Sequence, residues 1–126
     1  MRVYIAAPWA RKAEAIEAGA QFEAAGHTVT SRWFYHPGAP SDHAGVLEPT
    51  DDIRLQAAED VFDVLSSEAL VVLNLQKSEG KAVETGIALA AGLPVISVGP
   101  RSNIFQTLGT EVATVEDAIN ELSRSA

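Results

Sequence analysis

The chain contains no cysteine. That excludes disulfides, a thiolate metal site and a thiol nucleophile, and it fits the reducing environment of a cytoplasmic protein. Basic residues are scarce: nine Lys and Arg stand against 17 Asp and Glu, for a net charge of −8. With no basic stripe to neutralise phosphates, nucleic acid and anionic membranes are poor partners. No apolar stretch approaches the roughly 20 residues needed to cross a bilayer. The opening segment, Met1 to Pro8, carries one basic residue and too short an apolar run for a signal peptide, and reads as a strand. Two nucleotide-site signatures are also missing. The segment Ala6-Ala7-Pro8-Trp9-Ala10-Arg11 stands where Gly-x-Gly-x-x-Gly would follow a first strand, and no Gly-x-x-x-x-Gly-Lys-Ser/Thr occurs. Both absences argue against NAD(P)-dependent oxidoreductases and P-loop NTPases. Repeats and low-complexity tracts are absent too.

What is present is a chain of 126 residues, 47% of them hydrophobic, enough to bury a core as one domain over residues 1–126. Strand-like and helix-like segments alternate throughout. Arg2 to Ala6 reads as a first strand. Ala10 to Ala25 is rich in helix formers, with Ala13, Ile16, Ala20 and Phe22/Ala24 spaced for one apolar face and Gly26 as the stop. His27 to Arg32 alternates like a strand, with His27 itself at a surface turn. Trp33 to Pro49 holds Pro37, Gly38, Pro40 and Gly45 and reads as a long loop. Asp51 to Ser66 is a helix with acidic residues at its start. Ala69 to Leu75 is a buried strand, Lys81 to Ala91 a helix and Pro94 to Val98 another buried strand. A short helix over Ile104 to Leu108, an edge strand over Glu111 to Ala113 and a last helix opened by Thr114-Val115-Glu116-Asp117 complete the chain. This alternation predicts an α/β fold: a doubly wound, mostly parallel sheet of about five strands, flavodoxin-like or Rossmann-like, in three α/β/α layers.

Open sheets of this kind bind ligands at the carboxyl ends of their strands. The segment Gly80-Lys81-Ala82-Val83-Glu84-Thr85-Gly86 falls there, and it places a carboxylate, Glu84, on the first turn of a helix. Other strand exits bring Ala7, Pro8 and Trp9; Arg32, Trp33 and Tyr35; Lys77 and Ser78; and Arg101, Ser102 and Asn103. Aromatic rings to stack a flat base, donors for an anion and one carboxylate describe a nucleotide pocket. The helix start near Gly80, with Ser78 and Lys81, offers donors to a phosphate.

Two of these segments carry a resemblance. Val3-Tyr4-Ile5-Ala6-Ala7-Pro8-Trp9, and the later Gly80-x-x-x-Glu84-x-Gly86-x-Ala88-x-Ala90-x-Gly92-x-Pro94-Val95, resemble the nucleoside 2-deoxyribosyltransferase family. That superfamily includes 2′-deoxynucleoside 5′-phosphate N-hydrolases, and the match runs from Arg2 to about Leu122. The resemblance implies that Glu84 attacks C1′ of the sugar, that Tyr4 orients this carboxylate, and that Asp60 contacts the base and helps to protonate it. It implies a small-molecule nucleoside or nucleotide as partner, no cofactor, and a homodimer or higher homo-oligomer in which the loop around Asn103 completes a neighbouring subunit's pocket. Ser78 stands where transferases acting on free nucleosides carry an acidic residue and where phosphate-reading hydrolases carry serine. Glu68 departs from the aspartate that relatives often place at the start of their third strand.

The chemistry is self-consistent without the family. N-glycosidic cleavage passes through an oxocarbenium-like state, which an ionised carboxylate beneath C1′ stabilises and traps. The departing base needs a proton, and a carboxyl with a raised pKa supplies one. Each residue also has a plainer reading: dipole compensation for Glu84, core packing for Tyr4, Trp9 and Trp33, a solvated acidic face for Asp60, helix capping for Ser78, and loop polarity for Arg101, Ser102 and Asn103. The functional alternative is a non-catalytic nucleotide-binding or sensing domain on the same fold. His36 and His43, with Asp42 between them, lack a third ligand at useful spacing, so no metal site is expected.

Overall fold

A computed structural model of the chain describes residues 1–36 and 50–125. Strands β1 (Arg2–Ala6), β2 (Thr28–Val29), β3 (Ala69–Leu73), β4 (Val95–Val98) and β5 (Thr110–Val112) alternate with helices α1 (Lys12–Ala24), α2 (Asp51–Leu65), α3 (Glu79–Ala90) and α4 (Val115–Ser125). The strands form one sheet in the order β2-β1-β3-β4-β5, with every neighbouring pair parallel. This is the flavodoxin-like member of the doubly wound folds.

The order explains the layers. From β1 the chain steps one way to β2, and from β2 onward it steps the other way. Crossovers of one hand therefore send α1 to one face and α2 and α3 to the opposite face. Helix α1 packs with α4, and α2 packs with α3, giving the three expected layers. The reversal leaves a crevice where the connections after β1 and β3 part to opposite faces. All five residues of β3, Ala-Leu-Val-Val-Leu, are buried, as a parallel strand covered on both sides requires. Register aligns Tyr4 with Leu70 and Val95, and Ala6 with Val72 and Ser97. Strand alternation turns Tyr4 toward α3 while Ile5, its neighbour, faces Gly19 of α1.

Several elements differ from the expectation. The second strand is only Thr28–Val29 rather than His27 to Arg32. Beyond it, Ser31 Oγ accepts from the Ile5 N–H at 3.1 Å and the Trp33 indole N–H donates to the Ile5 carbonyl at 2.7 Å. These side chains satisfy the edge of β1 in place of a longer ladder. Trp33–Tyr35 is a 3₁₀ turn, not an open loop. Residues 37–49, most of the expected long loop and including Asp42 and His43, lie outside the described residues.

Helix α1 follows a 3₁₀ turn over Trp9–Arg11, and Gly26, at φ +93°, stops it as expected. It buries Ala15, Ala18, Gly19 and Phe22, so of the expected stripe Phe22 is buried while Ala13, Ile16, Ala20 and Ala24 are exposed. So many alanines leave the periodicity ambiguous, and the small residues are the ones that let the helix lie close to the sheet. His27 is buried rather than at the surface. It packs edge-on to Phe22, 3.2 Å from Ser123 Oγ, and burial lowers its pKa. Thr114 opens α4 as read, its Oγ1 accepting from the Asp117 N–H at 3.1 Å.

Candidate active site

Glu84 and Tyr4 meet at the β1–β3 crevice. The Tyr4 hydroxyl donates a hydrogen bond to Glu84 Oε2, and both side chains are buried. Tyr4 is fixed by its place in the middle of β1, and Glu84 by the packing of α3 over β1, β3 and β4. The pKa of Tyr4 is raised well above its ordinary value, first by burial and then by the charges of Glu84 and Asp60, its hydrogen bond to Glu84 and the charge of Asp63. It therefore stays protonated, a permanent donor that aims the carboxylate.

One expectation about Glu84 needs correction. Helix α3 begins at Glu79, two residues before the expected start, so Glu84 is its sixth residue and lies beyond the first turn. The influence of the helix dipole fades within that turn. Glu79 occupies the dipole-compensating position, and Glu84 is held by Tyr4.

Asp60 lies on α2, close enough to raise the pKa of Tyr4. Its own pKa is raised to about 6, chiefly by burial, with Asp63 and Glu59 adding to the rise and His36 and Arg32 opposing it. Among the described residues its Oδ1 is buried with no hydrogen-bond partner. A carboxyl so placed exchanges a proton near neutral pH. Asp63, one turn further along, is buried and takes a forked pair from Arg32 at 2.8–3.2 Å. Arg32 also lies 3.9 Å from Glu59, which stands 3.2 Å from His36 Nε2 without hydrogen-bond alignment. These charges surround Asp60, so the helix face that the sequence offers as a solvated acidic surface is partly buried. Asp63 is not singled out by the sequence, and its one signal is the i+3 spacing from Asp60.

Ala7 and Pro8 are buried at the exit of β1. Trp9 and Trp33 lie against each other, with ring centroids 6.3 Å apart at 50°, and Lys12 Nζ stands 4.7 Å over the Trp9 ring. At the start of α3, Ser78 is the N-cap, its Oγ accepting from the Lys81 N–H at 3.1 Å, and Gly80 lies in the first turn.

Other candidates have different surroundings. Lys81 is buried, and its ammonium donates to Asn74 Oδ1 at 3.1 Å and to the Gln76 carbonyl at 2.8 Å. Arg101 turns back on its own segment, donating to the carbonyls of Gln106 and Gly109 and pairing with Glu111. Asn103 caps the 3₁₀ turn Ile104–Leu108, accepting from the N–H groups of Phe105 and Gln106. Ser102 donates its N–H to Gln106 Oε1 at 2.8 Å. Asn74 and the buried Gln106, which join these groups, were not picked out from sequence. Glu68 is structural: it accepts from the Arg2 N–H at 2.9 Å at the amino end of the sheet, opposite the crevice.

Fold and crevice together define a flavodoxin-like domain with a tyrosine-held carboxylate at its topological switch point. No protein-family model and no curated protein sequence matches the chain. Solved structures do. A conserved protein from Enterococcus faecalis V583 has a TM-score of 0.71 at 19% identity, with 100% of this chain and 99% of that one covered. A 2-deoxyribosyltransferase from the psychrotolerant bacterium Bacillus psychrosaccharolyticus has a TM-score of 0.69 at 17% identity, covering 95% and 91%. A CMP N-glycosidase from Clostridium botulinum has a TM-score of 0.60, also at 17% identity, covering 98% of each chain. Likeness at these identities is likeness of fold, and it spans essentially the whole chain. Among the described residues no helix is long and apolar enough to cross a membrane.

Proposed function

We propose that this chain is a nucleoside 2-deoxyribosyltransferase-like enzyme. It cleaves the N-glycosidic bond of a (2′-deoxy)nucleoside or nucleoside 5′-monophosphate through Glu84, without a cofactor. The observation that carries this reading is the buried Tyr4–Glu84 hydrogen bond at the switch point, with Asp60 near the same tyrosine. Two structures of the same fold, named as a 2-deoxyribosyltransferase and a CMP N-glycosidase, support the reaction class.

In the first half-reaction a Glu84 oxygen bonds to C1′ as the C1′–N bond breaks. The bonding pair leaves on the base nitrogen, which gains a proton from Asp60. In the second, water or another base attacks C1′, Asp60 takes up the released proton, and the Glu84 carboxylate departs with its electrons. Tyr4 keeps Glu84 aimed through both steps. Trp9 and Trp33, with Ala7 and Pro8, form the wall beside the base. Ser78 and Gly80 read a 5′-phosphate at the α3 start, where a carboxylate would repel it. Lys81, Arg101, Ser102 and Asn103 act from behind this surface, shaping the segments that border it. A homo-oligomer fits the outer surface: Ile104, Phe105 and Leu108 are 75%, 60% and 74% exposed, and Phe105 borders a groove of about 310 Å³ against α3.

Incubation with a panel of nucleosides and 5′-monophosphates tests the reading. Free base is expected from at least one member, and an added acceptor base distinguishes transfer from hydrolysis by the exchanged nucleoside it yields. If nothing turns over while nucleotides still raise the melting temperature, the chain is a binding domain instead.

A further inference from the structure

The 3₁₀ turn Ile104–Leu108 lies outside the reacting groups, yet its central side chain points inward. Gln106 is 1% exposed. Its Nε2 donates to Asn74 Oδ1 at 3.1 Å, and its Oε1 accepts from Asn74 Nδ2 at 2.8 Å and from the Ser102 N–H at 2.8 Å. Asn74 Oδ1 in turn accepts from the ammonium of Lys81 at 3.1 Å. Lys81, 2% exposed, is in the first turn of α3, between the Ser78 cap and Glu84 three residues on.

The direction of these bonds matters. A backbone N–H can only donate, so Ser102 fixes which end of the Gln106 amide is oxygen. That orientation obliges Asn74 to present Nδ2 to Gln106 Oε1 and to leave its own oxygen toward Lys81. Were Asn74 reversed, an NH₂ group would face a buried ammonium, and the lysine would lose an acceptor it needs in the absence of water. The turn itself has little freedom to shift. Asn103 caps it at one end, and at the other a β-carbon on Gly109 would lie 2.3 Å from the Val95 carbonyl oxygen.

We infer that Gln106 is a positioning residue for Glu84, acting through Asn74 and Lys81 to hold the first turn of α3 in place. The inference rests on the glycosidase reading for its catalytic consequence. The structural half stands apart from that reading.

Gln106→Met keeps the length of the side chain and removes its polar atoms. Gln106→Glu keeps the oxygen that Ser102 and Asn74 donate to and loses the donor. In Gln106→Met, amide hydrogen exchange over residues 79–85 is expected to speed up by about tenfold, with the rest of the sheet unchanged. Its kcat for base release is expected to fall about 10–100-fold with KM within about threefold, since the damage is to aim rather than to binding. Gln106→Glu recovers part of both. Combining Gln106→Met with Asn74→Ala costs no more than the worse single variant, because both break one relay. Unchanged exchange over 79–85, or kcat losses that multiply in the double variant, overturns the inference. If Gln106→Met does not fold, Gln106→Glu decides: exchange over 79–85 faster than in wild type with a smaller kcat loss supports the relay, and wild-type exchange with wild-type kcat overturns it. A wild-type protein that releases no base sinks the glycosidase reading, while exchange still decides on the relay.

Discussion

Asp60 faces opposite demands in the two halves of the proposed reaction, a proton to give and then one to take. A pKa raised from the ordinary 3.8 to about 6 suits both near neutral pH. The same shift has a cost in stability. Folding favours the protonated form, so between about 3.8 and 6 the folded chain holds more proton than the unfolded one, and stability falls as pH rises through that window. Asp60→Asn should therefore melt higher than wild type at pH 7, by on the order of 1 kcal/mol once solvent screening of this partly exposed group is discounted. The gain should shrink to nothing below pH 3.8. Base release should fall by about 10²–10⁴-fold in the same variant. Thermal melts and rates across pH 3–8 check both; equal melting of the two proteins at pH 7 would contradict the burial argument. At this scale the site was partly legible. Tyr4 and Glu84 stand in recognisable segments, but the partners of Lys81, Arg101 and Asn103 come from folding. Nothing local to Lys81 foretells that Asn74 and Gln76 will take its ammonium.

Helices and strands were legible wherever periodicity was strong. The first strand was read residue for residue, and the buried runs of β3 and β4 to within two residues, because continuous apolar segments bounded by turn formers admit few alternatives. The misreadings share a cause. β2 stops early because Ser31 and Trp33 satisfy β1 with side chains, a tertiary choice that alternation in His27 to Arg32 cannot express. Helix α3 starts early because Ser78 caps it, and the consequence reaches the chemistry: Glu84 moves out of the dipole's range and into that of a tyrosine hydroxyl. The helix therefore serves as a rigid mount for the carboxylate.

The whole molecule shows one sheet whose order alone locates the crevice, and the alternation of elements was enough to expect it. What alternation could not show is the outer apolar surface, since Ile104, Phe105 and Leu108 read like any core triplet until their exposure is known. A second copy covering them should make the protein sediment as a dimer or larger at micromolar concentration. Phe105→Asp combined with Leu108→Asp should shift it toward monomer with loss of base release, and a wild type that stays monomeric at high concentration would contradict this. The central claim is narrower, that the Glu84 carboxylate bonds to the sugar. Its most direct test is base release by Glu84→Ala against wild type, on the substrate the panel identifies, with peptide mass analysis of quenched wild-type enzyme. The account predicts a loss of at least about 10³-fold in the variant and a peptide containing Glu84 made heavier by one glycosyl group. Full base release by Glu84→Ala would contradict it.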